Sequence, residues 1–324
     1  MSPPPNHSIF SPLVIVGSLR SGTTLLRLML DSHPRVHIFG EFEIATRYLP
    51  PAGEADPPNL WRRVESDRQY QDYGFVRPKG ADFRSAVYAF AAQMRERGVS
   101  NHKPHFGFTI HSKFDRIPEL WPAARYIFIV RDPRAVARSV IQMGWAGTAF
   151  HASAVWVEAM ESLERLRARV GGRQITVIRY EDLLSEPQTT LQNCLSAIVE
   201  QYDPRMLGYW QTTTYPPLDA SKAGKWRTVM SRRQIEQVDA RCGERMSRFG
   251  YTPLSVVRRH QYPSRLECIG LDISNKVGTF AWSVRRFGVL LACARAMARR
   301  GLVPGMVGRA IKNKVHYINR QHLR

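Results

Sequence analysis

With 324 residues, 44% hydrophobic and 23% charged, the chain is not wholly disordered, a collagen-like fibre or a disulfide-stapled miniprotein, and it has room for one large domain or two small ones. Forty-seven Lys and Arg against 27 Asp and Glu give a formal charge of +20. That surplus predicts an anionic partner: a nucleotide, sulfate, phosphate, acidic polysaccharide, nucleic acid or anionic lipid.

Residues 1–12 are Pro-rich with no basic leader, and the first apolar run, 13–16, is far too short for the core of a signal peptide. No stretch approaches the length needed to span a bilayer. Cys194, Cys242, Cys268 and Cys293 form neither a C-x-x-C pair nor a zinc-ligand spacing with histidine. A cytoplasmic enzyme is therefore expected. His102 and His105 read as solvated loop histidines.

Residues 13–17 (LVIVG) read as a buried parallel strand, continuous and β-branched. Residues 23–30 follow as a helix that ends at His33-Pro34, and 36–39 as a second strand. Residues 59–98 look largely helical with an interruption at 72–79. Residues 106–110, 125–130 and 175–179 read as strands, and 133–143 and 152–170 as helices. Strands alternating with helices predict an α/β fold: a three-layer sandwich of the P-loop type, with a central parallel sheet flanked by helices.

The most informative stretch is Gly17-Ser18-Leu19-Arg20-Ser21-Gly22-Thr23-Thr24. It has the spacing of a phosphate-binding loop, directly between a buried strand and a helix. Successive backbone N–H groups and the helix N-terminus favour an anion there, and Thr23 and Thr24 add hydroxyl donors. Thr23 stands where a nucleotide triphosphatase carries Lys, so the loop suits a smaller 5′ group without a metal-bridged triphosphate; its cation is Arg20.

RSGTT, extended to RSGTTLLRLMLDSHP, resembles the 5′-phosphosulfate loop of sulfotransferases, enzymes that use 3′-phosphoadenosine 5′-phosphosulfate (PAPS) as donor. The Arg form of the loop resembles the tyrosylprotein, carbohydrate and bacterial branches. The resemblance implies that Arg20, Ser21, Gly22, Thr23 and Thr24 bind the donor with no metal required. It also implies that Arg131, in Arg131-Asp132-Pro133-Arg134, and Ser139 hold its 3′-phosphate, a task suited to a planar guanidinium fork and a hydroxyl. Tyr180 in a Y-E-D-L segment is placed by the nucleotide. Ser221 and Lys222, before Lys225-Trp226, resemble a segment that closes over the nucleotide. The similarity runs in ordered patches over residues 12–253, which divides the chain into a catalytic domain, 1–254, and an extension, 255–324.

Sulfuryl transfer moves charge onto the oxygen that leaves with the adenylate, so cations aimed there lower the barrier. Arg20 is the first candidate. Lys113, just after the strand at 106–110, matches a catalytic Lys of the tyrosylprotein branch. A general base must take the acceptor's proton. That branch has Gly-Glu-Glu after the second strand. Here the residues are Gly40-Glu41-Phe42-Glu43, with Glu41 favoured over Glu43 and a raised carboxyl pKa expected. His111 is the rival base. The expected acceptor is a hydroxyl or amine of a carbohydrate, glycolipid or other metabolite, in a pocket including residues 48–105 and 146–155. A P-loop kinase and a basic nucleic-acid or membrane-binding module are the alternatives; the missing Lys opposes the first, and no nucleic-acid-binding signature supports the second.

Residues 255–324 hold fourteen Lys and Arg against two acids. On a helical wheel Phe280, Val284, Phe287, Leu290, Leu291, Ala294 and Met297 share one face, with Arg285, Arg286, Arg295, Arg299 and Arg300 on the other. Two readings stand: a basic amphipathic helix in peripheral contact with a membrane's inner face or with an acidic substrate, or a helix packed on the catalytic core.

Overall fold

The computed structural model describes residues 11–97, 103–254 and 262–322. His102 and the expected boundary at 254/255 with the residues just after it, up to 261, lie outside or at the edge of that set. In chain order the elements that matter are β1 (Leu13–Val16), α1 (Thr23–Asp31), β2 (Val36–Glu41), α2 (Phe83–Arg97), β3 (His105–Ile110) and β4 (Arg125–Val130). They continue with α3 (Pro133–Gln142), α4 (Ala154–Val170), β5 (Ile175–Arg179), α5 (Pro187–Ser196) and α6 (Arg232–Cys242). The last three are α7 (Arg265–Phe287), α8 (Val289–Arg299) and α9 (Gly305–His322). The chain divides into two compact units, residues 1–131 with 155–223, and residues 132–154 with 224–324.

The first unit holds the sheet, five parallel strands in the order β2-β3-β1-β4-β5. All four β1 residues are buried, and the pleat sends them alternately to the two faces. Leu13 and Ile15 join Leu26, Met29 and Leu30 of α1 and Leu191 and Leu195 of α5 in one core. On strands β3 and β4, Phe108 lies 5.4 Å from Trp121 and Phe128 lies 6.0 Å from Phe114, ring centre to centre. The α/β fold with helices flanking a parallel sheet is as the sequence predicts. Successive connections run from β1 outward to β2 on one side and from β3 across β1 to β4 on the other. The switch in direction opens a crevice at the carboxyl ends of the strands, where ligands of open α/β sheets bind.

Strand β2 runs two residues past its expected end. Ile38 pairs with Gly107 and Glu41 with Thr109, so β2 carries one extra residue, a bulge that re-aims the side chains beyond it. The helical stretch expected over 59–98 is three pieces, Leu60–Glu65, Arg68–Tyr73 and α2, and the break falls where Gly74 takes φ 54°.

In the second unit, Asp132 caps α3, accepting from the Arg134 N–H at 2.9 Å. The same carboxylate takes Arg134 Nε and Nη2, each at 2.9 Å. The Arg134 guanidinium also lies 4.1 Å from the Trp226 ring centre and donates to the Thr252 carbonyl at 3.1 Å. The basic extension is helical as expected, but the apolar face read as continuous through residue 297 is interrupted. Gly288, at φ 79° and ψ 163°, ends α7 and begins α8.

Candidate active site

The loop from Gly17 to Gly22 leaves β1 and turns into α1. Ser21 is fully buried, its N–H and Oγ both bound to the Ser18 carbonyl at 3.2 and 2.7 Å, which folds the loop back on itself. Gly22 is the N-cap of α1, with φ 101° and no side chain bonded to the free N–H groups of the first turn. A Cβ there would stand 2.3 Å from the Tyr180 ring, so Gly is required for both its φ and its lack of side chain. The helix start is thus open for an anion, with no acidic residue in its first turn.

Arg20 sits at φ 70° in the left-handed region. Burial lowers the pKa of its guanidinium from the ordinary value; Tyr215 opposes that and Arg131 adds to it. Arg131, just after β4, donates to the Arg20 carbonyl at 3.1 Å and stacks on the Tyr180 ring at 4.2 Å. Its Nε and the Oγ of Ser18 are buried polar atoms with no hydrogen-bond partner, the kind of unfilled donor a phosphate would satisfy. Tyr180 opens the turn after β5 and is itself buried.

Three candidates follow β2 and β3. Glu43 is buried. Its Oε1 accepts from the His111 N–H at 2.5 Å and lies 3.1 Å from His111 Nδ1, and its Oε2 accepts from Ser112 Oγ at 2.5 Å. Burial pushes the Glu43 carboxyl up, but the bonds from His111 and Ser112 outweigh it and hold the pKa below the usual carboxylate value. The raised value expected of a catalytic Glu is therefore not found at Glu43. Held as an anion, it fixes His111 with the proton on Nδ1. His111 Nε2 in turn lies 3.0 Å from the Thr23 hydroxyl. A chain of contacts thus runs from Glu43 through His111 to the first residue of α1. Sequence reading gave the ring a possible role as base but missed its tie to Thr23.

Glu41 is exposed and lines two cavities. The larger, of about 720 Å³, is also lined by Leu19, Glu43, Arg47, Arg68, His111, Lys113 and, from α4, Glu158, Glu161 and Arg165. The smaller, of about 330 Å³, is bordered by Thr23, Thr24, Arg27, Arg68 and Tyr73. Lys113, at φ 50°, is the second strained cation of the site. The expected acceptor segments supply Asp67, Arg68 and Gln69 from one side, whereas the α4 contribution was missed: Glu158, Glu161 and Arg165 follow a helical period that sequence alone reads as an exposed face. Among the larger cavity's cations, Arg47 pairs with Asp67 at 2.8 Å and Arg165 with Asp115 at 3.1 Å.

Other expected residues line neither cavity. Ser221 and Lys222 are exposed in a short turn, where the Ser221 hydroxyl is bonded to Asp219 at 2.5 Å. Ser139 lies on α3 in the second unit; the site drawn here is built from the first unit alone. His105, read as solvated, is bonded to Glu200 at 2.7 Å.

The residues assembled so far lie after the carboxyl ends of β1, β2, β3, β4 and β5, around a loop of the sequence RSGTT. The sulfotransferase family pattern matches residues 12–204, the whole of this sheet. The chain belongs to the sulfotransferase family. Among curated relatives of this sulfotransferase, protein-tyrosine sulfotransferase A of Caenorhabditis elegans is 26% identical over 215 residues, 62% of this chain and 53% of that protein. The protein-tyrosine sulfotransferase of Drosophila melanogaster is 25% identical over 219 residues, 63% of this chain and 41% of that protein. The chain spans about half the length of these relatives. A solved sulfotransferase domain from the curacin biosynthetic pathway covers 75% of this chain and 98% of its own, at 17% identity and a TM-score of 0.49.

The expected cytoplasmic location is corrected by these matches, because relatives that are protein-tyrosine sulfotransferases run against it. The reasoning behind it also fails physically. All four cysteines are free, Cys194 and Cys242 buried, Cys268 half-buried and Cys293 exposed; burial pushes the Cys194 thiol up to about 12 and Cys242 upward too. Free thiols at every level of exposure do not by themselves name a compartment. No helix among the described residues is long and apolar enough to cross a membrane.

Proposed function

We propose that the chain transfers the sulfuryl group of PAPS to the phenolic hydroxyl of a tyrosine in a protein. The observation that carries the donor assignment is the loop itself: an uncapped helix start behind Gly22, with Arg20 and Arg131 beside it and Tyr180 beneath Arg131. The names of the curated relatives support the acceptor, in place of the carbohydrate, glycolipid or metabolite expected from sequence.

In this reading the first-turn N–H groups of α1, with Ser21, Thr23 and Thr24, hold the 5′ end of the donor, and Arg131 binds its 3′-phosphate. Ser221 and Lys222 complete the nucleotide contacts that the motifs imply within the first unit. Glu41, at the rim shared by both cavities, takes the proton from the acceptor oxygen as that oxygen bonds to sulfur. Arg20 and Lys113 stabilise the negative charge that grows on the bridging oxygen as its bond to sulfur breaks. His111 and Glu43 position Thr23 and the turn that carries Lys113.

The test is transfer of radiolabelled sulfuryl from PAPS to a tyrosine peptide, its phenylalanine twin and an oligosaccharide. Label in the tyrosine peptide only, with a loss of at least about a hundredfold in Arg20→Ala, is the expected result. Label in the oligosaccharide alone would overturn the acceptor; full activity of Arg20→Ala would overturn the site.

A further inference from the structure

Helix α7 has two faces of opposite character. One side is docked within the second unit. Asn275 Oδ1 accepts from the Gly147 N–H at 2.7 Å, and Trp282 Nε1 donates to the Gln142 carbonyl at 3.0 Å. His151 Nε2 pairs with Asp272 at 2.8 Å. Gly278 packs so closely on Gly147 that a Cβ on it would stand 2.7 Å from the Gly147 Cα. On the opposite side Leu266, Ile269, Ile273, Val277 and Phe280 follow one another at intervals of three and four residues, the spacing of a single helix face. That face lies open: Leu266 is 81% exposed, Ile273 58% and Val277 62%. Over its fifteen residues the stripe is about 21 Å long. Exposed apolar residues continue on α8 (Val289, Leu290) and α9 (Met306, Val307).

A bare apolar stripe of this length needs a cover, and the charge around it selects one. Residues 262–322 hold eleven Lys and Arg against Glu267 and Asp272. Both acids are engaged, Glu267 in the cap of α7 at Ser264 and Asp272 with His151. A second copy would bring two strongly positive segments together, whereas an anionic bilayer offers apolar depth and opposite charge at once.

We propose that the stripe on α7 lies in the interface of an anionic lipid bilayer, with exposed basic residues such as Arg265, Lys276, Arg299 and Arg309 at the headgroups. The stripe read from sequence, Phe280 to Met297, shares Phe280 with this one, which begins fourteen residues earlier at Leu266 and is fixed by the docked face opposite. The proposal is independent of the sulfuryl-transfer reading.

The experiment is sedimentation of the full chain with vesicles of phosphatidylcholine alone and of phosphatidylcholine mixed with phosphatidylserine, alongside the double variant Ile273→Ser, Val277→Ser. The wild type should sediment with the mixed vesicles and stay in solution with the neutral ones, and added salt should weaken binding. The double variant should bind about tenfold more weakly, with its melting temperature unchanged. Three results would overturn the proposal: no binding to mixed vesicles, binding untouched by the serine substitutions, or a wild-type dimer that the double variant converts to monomer in light scattering. The second would mark a purely electrostatic, polyanion-type contact, and the third a second copy as the cover.

Discussion

Arg20 and Lys113 both hold left-handed backbone conformations that side-chain-bearing residues avoid, and both are candidate cations of the transfer step. Such strain costs on the order of 1–3 kcal/mol per residue and clusters where function requires it. Lys113→Gly removes that strain, so it should melt no lower than the wild type while sulfuryl transfer falls at least about tenfold. Parallel melting and transfer assays would check it, and unchanged transfer would remove Lys113 from the mechanism. Glu43 allows a pH-dependent prediction. Its folded pKa lies below its ordinary value, so its stabilisation is present above the unfolded pKa and is lost as pH falls through the folded one. Glu43→Gln should therefore lower stability by about 1–3 kcal/mol at neutral pH, and the gap to wild type should close as the pH falls below the ordinary carboxylate range. A gap that widens in acid would contradict the assigned charge state. Arg20, Thr23 and Arg131 were legible because their chemistry sits in contiguous motifs. The role of Glu43 was not: it depends on a bulge in β2 and on a partner 68 residues away.

At the scale of elements, the join of β1 to α1 depends on Gly22. Gly22→Ala must accept a positive φ and drive a methyl into the Tyr180 ring, so it should cost about 1–3 kcal/mol and abolish nucleotide binding. Chemical denaturation and calorimetric titration would measure both; a variant that binds normally would show the loop to be more plastic than its geometry. The start of α3 depends on Asp132 in the same way. Asp132→Ala removes the helix cap and strands the buried Arg134 guanidinium, whose remaining carboxylate neighbour, Asp239, is 3.7 Å away. A loss of about 3–5 kcal/mol is expected from leaving such a charge without its close partner. The five strands were readable because each is a short, buried, β-branched or aromatic run between turn signals. The break at Gly288 was not, because a glycine inside an amphipathic pattern is compatible with an uninterrupted helix until tertiary packing redirects the chain. The face of α7 that docks was hidden for a related reason: its contacts are made by Asn275, Gly278 and Trp282, not by the aliphatic residues that a periodicity reading expects inside.

For the molecule as a whole, the charge of +20 makes the approach of an acidic acceptor faster than that of a basic one. A tyrosine peptide flanked by Asp and Glu should show a kcat/KM about tenfold above one flanked by Lys at low ionic strength, and added salt should narrow the difference. Equal rates at low salt would mean that the field of the protein does not reach the acceptor. Sequence composition predicted an anionic partner, and the loop named its chemistry. Location was not legible, since free thiols, whether buried as Cys194 or exposed as Cys293, do not by themselves name a compartment. Titration of the full chain with 3′-phosphoadenosine 5′-phosphate in the calorimeter, with ATP and Mg²⁺ as the rival ligand, tests the donor site without depending on any acceptor. The account predicts roughly micromolar or tighter binding of the bisphosphate, lost in Arg20→Ala and not displaced by ATP. Binding of Mg-ATP with no binding of the bisphosphate would contradict it.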